Sequence, residues 1–385
     1  MDLVRHYFRN RERLSRRWVI LVLSLYALGN IILDVPRVFV LIWLRVTGNG
    51  RSLLFASNTN QIDNVKKYSI ELSNSCSVVN VKNWKSIYSI PQSILALNAL
   101  YHISYTKQYS HRFFSKLDIH EAAYEKSSRY ISLILRFLRC RQVILSREDI
   151  KPFAEVGVAA QALGLLLIVI EHGIFTRSFQ SFPTTENTFH VFSSEENSRK
   201  RTPLAQKICK FNSPLFTIKK EFDACRLIRS TEKSQILIAD TYNIRESLFS
   251  IADSVDRIGT VKIRLHPGIN LQLGDYASDA NKIQMLVDAK VIITGISGFA
   301  LEAAFCGIPT VILVTDEDAW AFGYLGIYDA LSYVRVYQLA EFLDQPEYKL
   351  VFEDVNPEHV KLFQEKMGYK GHLDIKEQIP RLFVK

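Results

Sequence analysis

The 385-residue sequence has little of what marks several protein classes. Cysteine is scarce: Cys76, Cys140, Cys209, Cys225 and Cys306 lie far apart, with no Cys-x-x-Cys pair and no Cys/His cluster of zinc spacing. That excludes a disulfide framework and reads as reduced thiols in a cytosolic compartment, with no structural metal. The 11 prolines and 16 glycines are too few for a collagen-like, linker-dominated or disordered chain. Acidic residues are in deficit, 39 against 48 Lys and Arg, for a net charge of +9. Residues 1–17 supply +4 of it, because six arginines (Arg5, Arg9, Arg11, Arg13, Arg16 and Arg17) face only Asp2 and Glu12. The excess is therefore a local basic arm and not a surface built to coat nucleic acid. G-x-x-x-x-G-K-[ST], G-x-G-x-x-G and G-x-S-x-G are all missing, so the signatures of P-loop, dinucleotide and nucleophile-elbow chemistry are absent.

Long apolar runs are lacking too. Trp18–Leu33 holds sixteen residues without a charge, Asp34-Val-Pro36-Arg37 interrupts, and Val38–Leu44 resumes. A spanning helix wants about 20 apolar residues in succession. No small-residue cleavage site follows, so this is not a secretory signal. The pattern predicts a bent, re-entrant or interfacial helix pair with its bend at Pro36, its arginines resting on anionic headgroups. A buried helix packed on the first domain is the alternative.

What the chain does have is alternation. It is 48% hydrophobic, and at about 150 residues per domain its length suits two domains. Apolar strands are expected at Ser52–Ser57, Cys76–Val81, Gln142–Leu145, Leu165–Ile170 and Thr188–Phe192, with helices between them, one closed by Gly164. Residues 193–233 read as polar and irregular. A second set follows, with strands at Gln235–Ala239, Val261–Leu265, Val291–Ile293 and Thr310–Val314. Solid apolar strands alternating with helices predict parallel sheets covered on both faces. The expected fold class is α/β, two Rossmann-like halves facing a cleft. Residues 1–50 form the membrane-associating segment, 51–215 the first Rossmann-like domain and 216–385 the second, whose last helices pack back on the first.

The most informative stretch is Val291-Ile-Ile-Thr294-Gly-Ile-Ser297-Gly298-Phe-Ala-Leu-Glu302, continued to Cys306-Gly307-Ile-Pro309. It reads as strand, tight loop, helix, glycine cap and a new strand. Ser297 stands at the N-cap, and a helix start beyond a parallel strand is an anion site. Glu302, one and a half turns on, can reach ribose hydroxyls; otherwise it faces solvent on an ordinary capped helix. Upstream, Lys262-Ile-Arg264-Leu-His266-Pro267-Gly268 ends a strand on an imidazole able to donate to a phosphate.

These residues carry a resemblance. The run from Ser297 through Gly298 and Glu302 to Pro309 resembles the donor-binding motif of GT-B glycosyltransferases, in which the helix carries the nucleotide phosphates and the glutamate the ribose. Retaining members often hold a second glutamate eight positions earlier; Thr294 stands there, which favours inversion. With His266-Pro267 the run resembles the paired motifs of bacterial sialyltransferases and polysialyltransferases, a pair shared by CDP-glycerol polymerases. Ser57-Asn58-Thr-Asn-Gln61-Ile-Asp63-Asn64-Val65 is similar to the loop that opens polysialyltransferases, and Glu171-His172-Gly173 stands at their short acidic motif, or at the Gln-His-Gly of other capsule transferases.

The resemblance implies an inverting, metal-independent enzyme without a cofactor. It would move a CMP-activated acidic sugar onto a glycan or glycolipid acceptor at the cytoplasmic face of the inner membrane, and its partners would include the anionic membrane surface but no nucleic acid. A CDP-polyol or UDP-sugar donor and a non-catalytic scaffold are the alternatives. The first domain would take the acceptor and the second the donor, held by Arg264, His266, Pro267, Gly268, Ser297, Gly298 and Glu302. Glu171 or His172 would be the base, with Asp63, Glu148 and Asp149 as rivals.

Overall fold

The computed structural model describes residues 14–56, 59–68, 76–80, 92–107, 113–146, 153–170, 185–192, 207–210, 213–228, 235–241, 245–256, 259–265, 276, 280–295, 297–314, 334–338, 355–367 and 378–379. The chain enters through a short strand β1 (Leu14–Ser15) and a long helix α1 (Arg16–Thr47). Then follow β2 (Ser52–Ala56), α2 (Thr59–Tyr68), β3 (Ser77–Asn80), α3 (Gln92–Tyr105), β4 (Phe113–Phe114), α4 (Lys116–Tyr124) and α5 (Ser128–Phe137). The first half closes with β5 (Gln142–Leu145), α6 (Phe153–Ala162), β6 (Leu166–Ile170), β7 (Thr188–Phe192) and β8 (Ile208–Lys210). Six of its strands form one parallel sheet in the order β3-β2-β5-β6-β7-β8, while β1 and β4 make a separate antiparallel pair. Strands β2, β5 and β6 are buried along their whole length, as solid apolar runs in a doubly covered sheet require.

Helix α1 corrects the expectation of a pair bent at Pro36. It is one helix of 32 residues with Pro36 inside it. A proline inside a helix costs about 3 kcal/mol, and here tertiary contacts offset it. Asp34 and Arg37 are only 6% and 2% exposed, and Arg37 donates to the Asp34 carboxylate. The same carboxylate accepts from the Ser93 amide at 2.9 Å and from its hydroxyl, at the start of α3, where a negative charge also suits the helix dipole. The polar interruption is thus a packing contact. Val19, Leu23, Tyr26, Ala27 and Leu44 join the core of the first half.

Residues 193–233 also differ from expectation, since their described part holds both β8 and a helix, α7 (Pro214–Ile228). Next come β9 (Gln235–Ala239), α8 (Arg245–Val255), β10 (Thr260–Arg264), α9 (Lys282–Asp288), β11 (Ala289–Thr294), α10 (Gly298–Phe305), β12 (Thr310–Val314), β13 (Val334–Gln338) and α11 (Pro357–Met367). The second sheet is parallel throughout, in the order β10-β9-β11-β12-β13. Its side chains alternate between two cores, as the pleat dictates. Ile236, Ile238, Ile263 and Ile293 pack with α8, while Leu237, Ala239 and Ile292 pack with Ile218 and Phe222 of α7 and Phe299 of α10. Helix α11 covers α10 through Phe363 and Met367. Near the C-terminus, Ile379 is buried with Ile144, Ile168 and Ile170 of the first sheet.

Candidate functional site

Counting only the strands of each parallel sheet, both run 2-1-3-4-5, with a sixth strand on the first. In such sheets ligands bind beyond the carboxyl ends, where connections leave in opposite directions. In the second half that point lies between β9 and β11. Thr294, the last residue of β11, donates its hydroxyl to the Ala239 carbonyl at 3.0 Å, tying the two strand ends together. Its Oγ1 is 3.3 Å from the Ser297 hydroxyl. Ser297 is the N-cap of α10, with extended backbone (φ −153°, ψ 157°), and accepts from the Ala300 amide at 3.3 Å. The amides of a first helical turn have no intrahelical acceptor. No acidic residue occupies this one, and a Cβ built on Gly298 would meet nothing within 4 Å. Among the described residues the start of the helix is uncovered at Gly298, and its amides carry the partial positive charge of a helix N-terminus.

Two residues that sequence reasoning missed sit at the same point. Asp240 and Thr241 follow β9 and are buried. The Asp240 amide donates to the Arg264 carbonyl at 2.8 Å, which extends the β9–β10 pairing. Thr241 is 9% exposed, and its hydroxyl has no hydrogen-bond partner among the described residues. An orphaned buried hydroxyl is costly, about 1–3 kcal/mol, unless something else completes it. The signal was present in the sequence, because polar residues directly after a solid apolar strand in an α/β chain mark the binding edge.

Arg264 ends β10 with its guanidinium 4.4 Å from the centre of the Phe299 ring. Burial pushes its pKa down and the nearby Glu302 carboxylate pulls it back up; guanidinium stays charged in proteins regardless. Glu302 does not face solvent. Its carboxylate accepts from Lys282 Nζ at 3.0 Å, with 18% of the glutamate and 28% of the lysine side chain exposed. Lys282, on α9, was not singled out from the sequence. Arg264, Ser297, Gly298 and Glu302 therefore gather around one helix start, with Lys282 added.

In the first half, the corresponding point lies between β2 and β5. There the Ser146 hydroxyl donates to Gln61 Oε1 at 2.9 Å, and both side chains are 1% exposed. Asp63, one of the rival bases, lies on α2, exposed and 3.6 Å from Lys66. Glu171, His172, His266, Pro267 and Gly268 lie outside the described residues, as do Ser57, Asn58, Glu148 and Asp149. By sequence, Glu171 directly follows the last residue of β6 and His266 comes two after the last residue of β10.

No protein-family model matches the chain, and no curated protein sequence matches it. Among solved structures, the chain is similar to the wall teichoic acid polymerase TagF, with a TM-score of 0.44 and 11% identity over 94% of this chain and 96% of that one. MurG of Acinetobacter baumannii gives 0.43 and 13% over 82% and 94%. A putative UDP-N-acetylglucosamine 2-epimerase from Listeria monocytogenes gives 0.43 and 12% over 83% of each chain. At these values no substrate and no residue role passes to this chain. The chain's own strand order makes it α/β, with two Rossmann-like parallel sheets in series behind an N-terminal apolar helix.

Proposed function

We propose that the protein is an inverting glycosyltransferase whose nucleotide-sugar donor places its phosphate at the β9–β11 switch point. One observation carries the reading: a capped helix start, the half-buried Arg264 and the Thr241 hydroxyl, unpartnered among the described residues, lie where two parallel strands diverge. A phosphate there would accept from the first-turn amides of α10, from Thr241 and from Ser297, with Arg264 supplying positive charge. Glu302, held by Lys282, would present its second oxygen to the ribose.

In the reaction the acceptor oxygen attacks the anomeric carbon from the face opposite the phosphate. The bond from that carbon to the phosphate oxygen breaks, and its electron pair leaves with the phosphate. His266 would donate to the leaving group. Glu171 or His172 would take the acceptor proton, so charge and protons balance without a metal. The donor in this reading is a CMP-activated acidic sugar, supported by the His-Pro and Ser-Gly pairing, and the acceptor a surface glycan or glycolipid at the cytoplasmic face of the inner membrane.

Calorimetric titration with CMP, CDP and UDP tests this directly. CMP should bind, and Thr241→Val should weaken it about tenfold, as one hydrogen bond to a charged group requires. Binding of UDP but not CMP would remove the donor assignment, and binding unaltered by Thr241→Val would remove the site.

A further inference from the structure

Helix α1 has two faces in unlike surroundings. The inner face is core of the first half. On the outer face every exposed residue between Trp18 and Val46 is apolar or glycine, with Leu25, Leu28, Ile32 and Phe39 among the most open. Helix α3, packed beside it, exposes Leu97, Tyr101 and Tyr105 as well. Contiguous apolar surface on this scale marks an interaction site.

Three ties hold α1 along its length. At its start, Leu14 pairs with Phe114, and Arg16 donates to the carbonyls of Ile103 at 2.8 Å and Ser104 at 3.0 Å. At the middle, Asp34 holds Arg37 and Ser93. Near its end, Arg45 donates to the Phe137 carbonyl and lies 5.7 Å from the Phe137 ring centre. A helix of this length runs about 48 Å, and a hydrocarbon core is about 30 Å thick. Crossing would carry the middle tie, with Asp34 and the first turn of α3, into hydrocarbon, or else break it. Lying flat breaks nothing.

We infer that α1 is an in-plane docking element: its outer face sinks into the headgroup–acyl boundary of an anionic bilayer while its inner face remains core. The Asp34–Arg37–Ser93 cluster holds the helix unbroken across Pro36 and fixes which face points outward. The occupant is lipid rather than a second copy of the chain. Residues 1–17 carry six arginines against two acids, a charge that anionic headgroups attract and that a second copy, with the same basic arm, does not complement. Trp18 and Trp43, both about half exposed, stand near the two ends, as amphipathic rings at a water–lipid boundary do. The inference deepens the membrane location proposed above and is independent of the donor.

Flotation and depth measurements separate the two claims. The full chain should float with phosphatidylcholine vesicles containing phosphatidylglycerol, and less well without it. Leu28→Gln, Ile32→Gln and Phe39→Gln, substitutions that leave the inner face intact, should each lower partition about tenfold, on the order of a thousandfold together. Spin labels at Leu21, Ile32 and Val46, in a background without Cys76, Cys209 and Cys225, should report one common shallow depth. A label at Ile32 much deeper than the other two means a spanning helix and overturns the in-plane placement, with the membrane location intact. No flotation on either vesicle overturns the location itself. A triple variant that floats normally but loses a wild-type dimer in light scattering assigns the face to a second copy.

Discussion

The two sheets share a strand order and differ in how their switch points are finished. In the first, Ser146 and Gln61 turn to each other and close the point with a buried hydrogen bond. In the second, a helix begins at the point, Thr294 stitches the strand ends, and the Thr241 hydroxyl has no partner among the described residues. Among the described residues, the same topology thus yields one edge closed by a side-chain pair and one that carries a helix start, with Arg264 and the buried Asp240 beside it. Topology offers a place for a ligand; the residues just past the strands decide whether the place is filled from within.

The sharpest way to break this comparison is chemical. If the first half supplies the base and the second the phosphate site, Glu171→Gln should lower kcat about 10²–10⁴-fold with nucleotide binding unchanged, the usual range for general base catalysis. Retained activity beside an inactive His172→Ala would move the base by one residue. Next in size, Gln61→Ala should leave the Ser146 hydroxyl without its acceptor and lower stability by about 1–3 kcal/mol, seen in urea unfolding, while nucleotide affinity stays the same. Smaller again, Lys282→Met should cost stability only about 0.2–1 kcal/mol, as for a partly exposed pair, yet it should weaken ribonucleotides more than 2′-deoxy analogues by freeing Glu302 to move.

The smallest effect is on the thiols. Burial pushes Cys140 and Cys306 up to about 12, Cys306 capping the end of α10 far from Ser297. Both stay protonated at pH 8, and neither should react with a disulfide reagent until the chain unfolds, because the thiolate is the reactive form. Fast labelling of Cys306 in the native protein would show that the α10 end opens.

Much of this was legible in local pattern. Thr188–Phe192, Gln235–Ala239 and Thr310–Val314 have the bounds the sequence predicts, each being a short apolar run set between polar, Gly or Pro punctuation. The Ser297 cap was legible because capping is a local bond to Ala300, three residues on. What failed depends on distant partners. Asp34 and Arg37 read as a helix break because Ser93, which helps satisfy the carboxylate, lies 59 residues away. Helix α7 was hidden by the polar run before it, although its Ile218 and Phe222 enter the second core. Lys282 could not be tied to Glu302 across 20 residues without the fold, nor could Thr241 be known to lack a partner among the described residues.

The central claim is that the edge of the second sheet at the start of α10, and not the closed edge of the first, binds the donor phosphate. Calorimetric titration of CMP into the wild type, Ser297→Ala and Ser146→Ala tests it in one experiment. Ser297→Ala should lose about 1.5–3 kcal/mol of binding, roughly ten- to 150-fold in Kd, while Ser146→Ala should bind as the wild type does. Loss of binding in Ser146→Ala with Ser297→Ala unaffected would contradict the account.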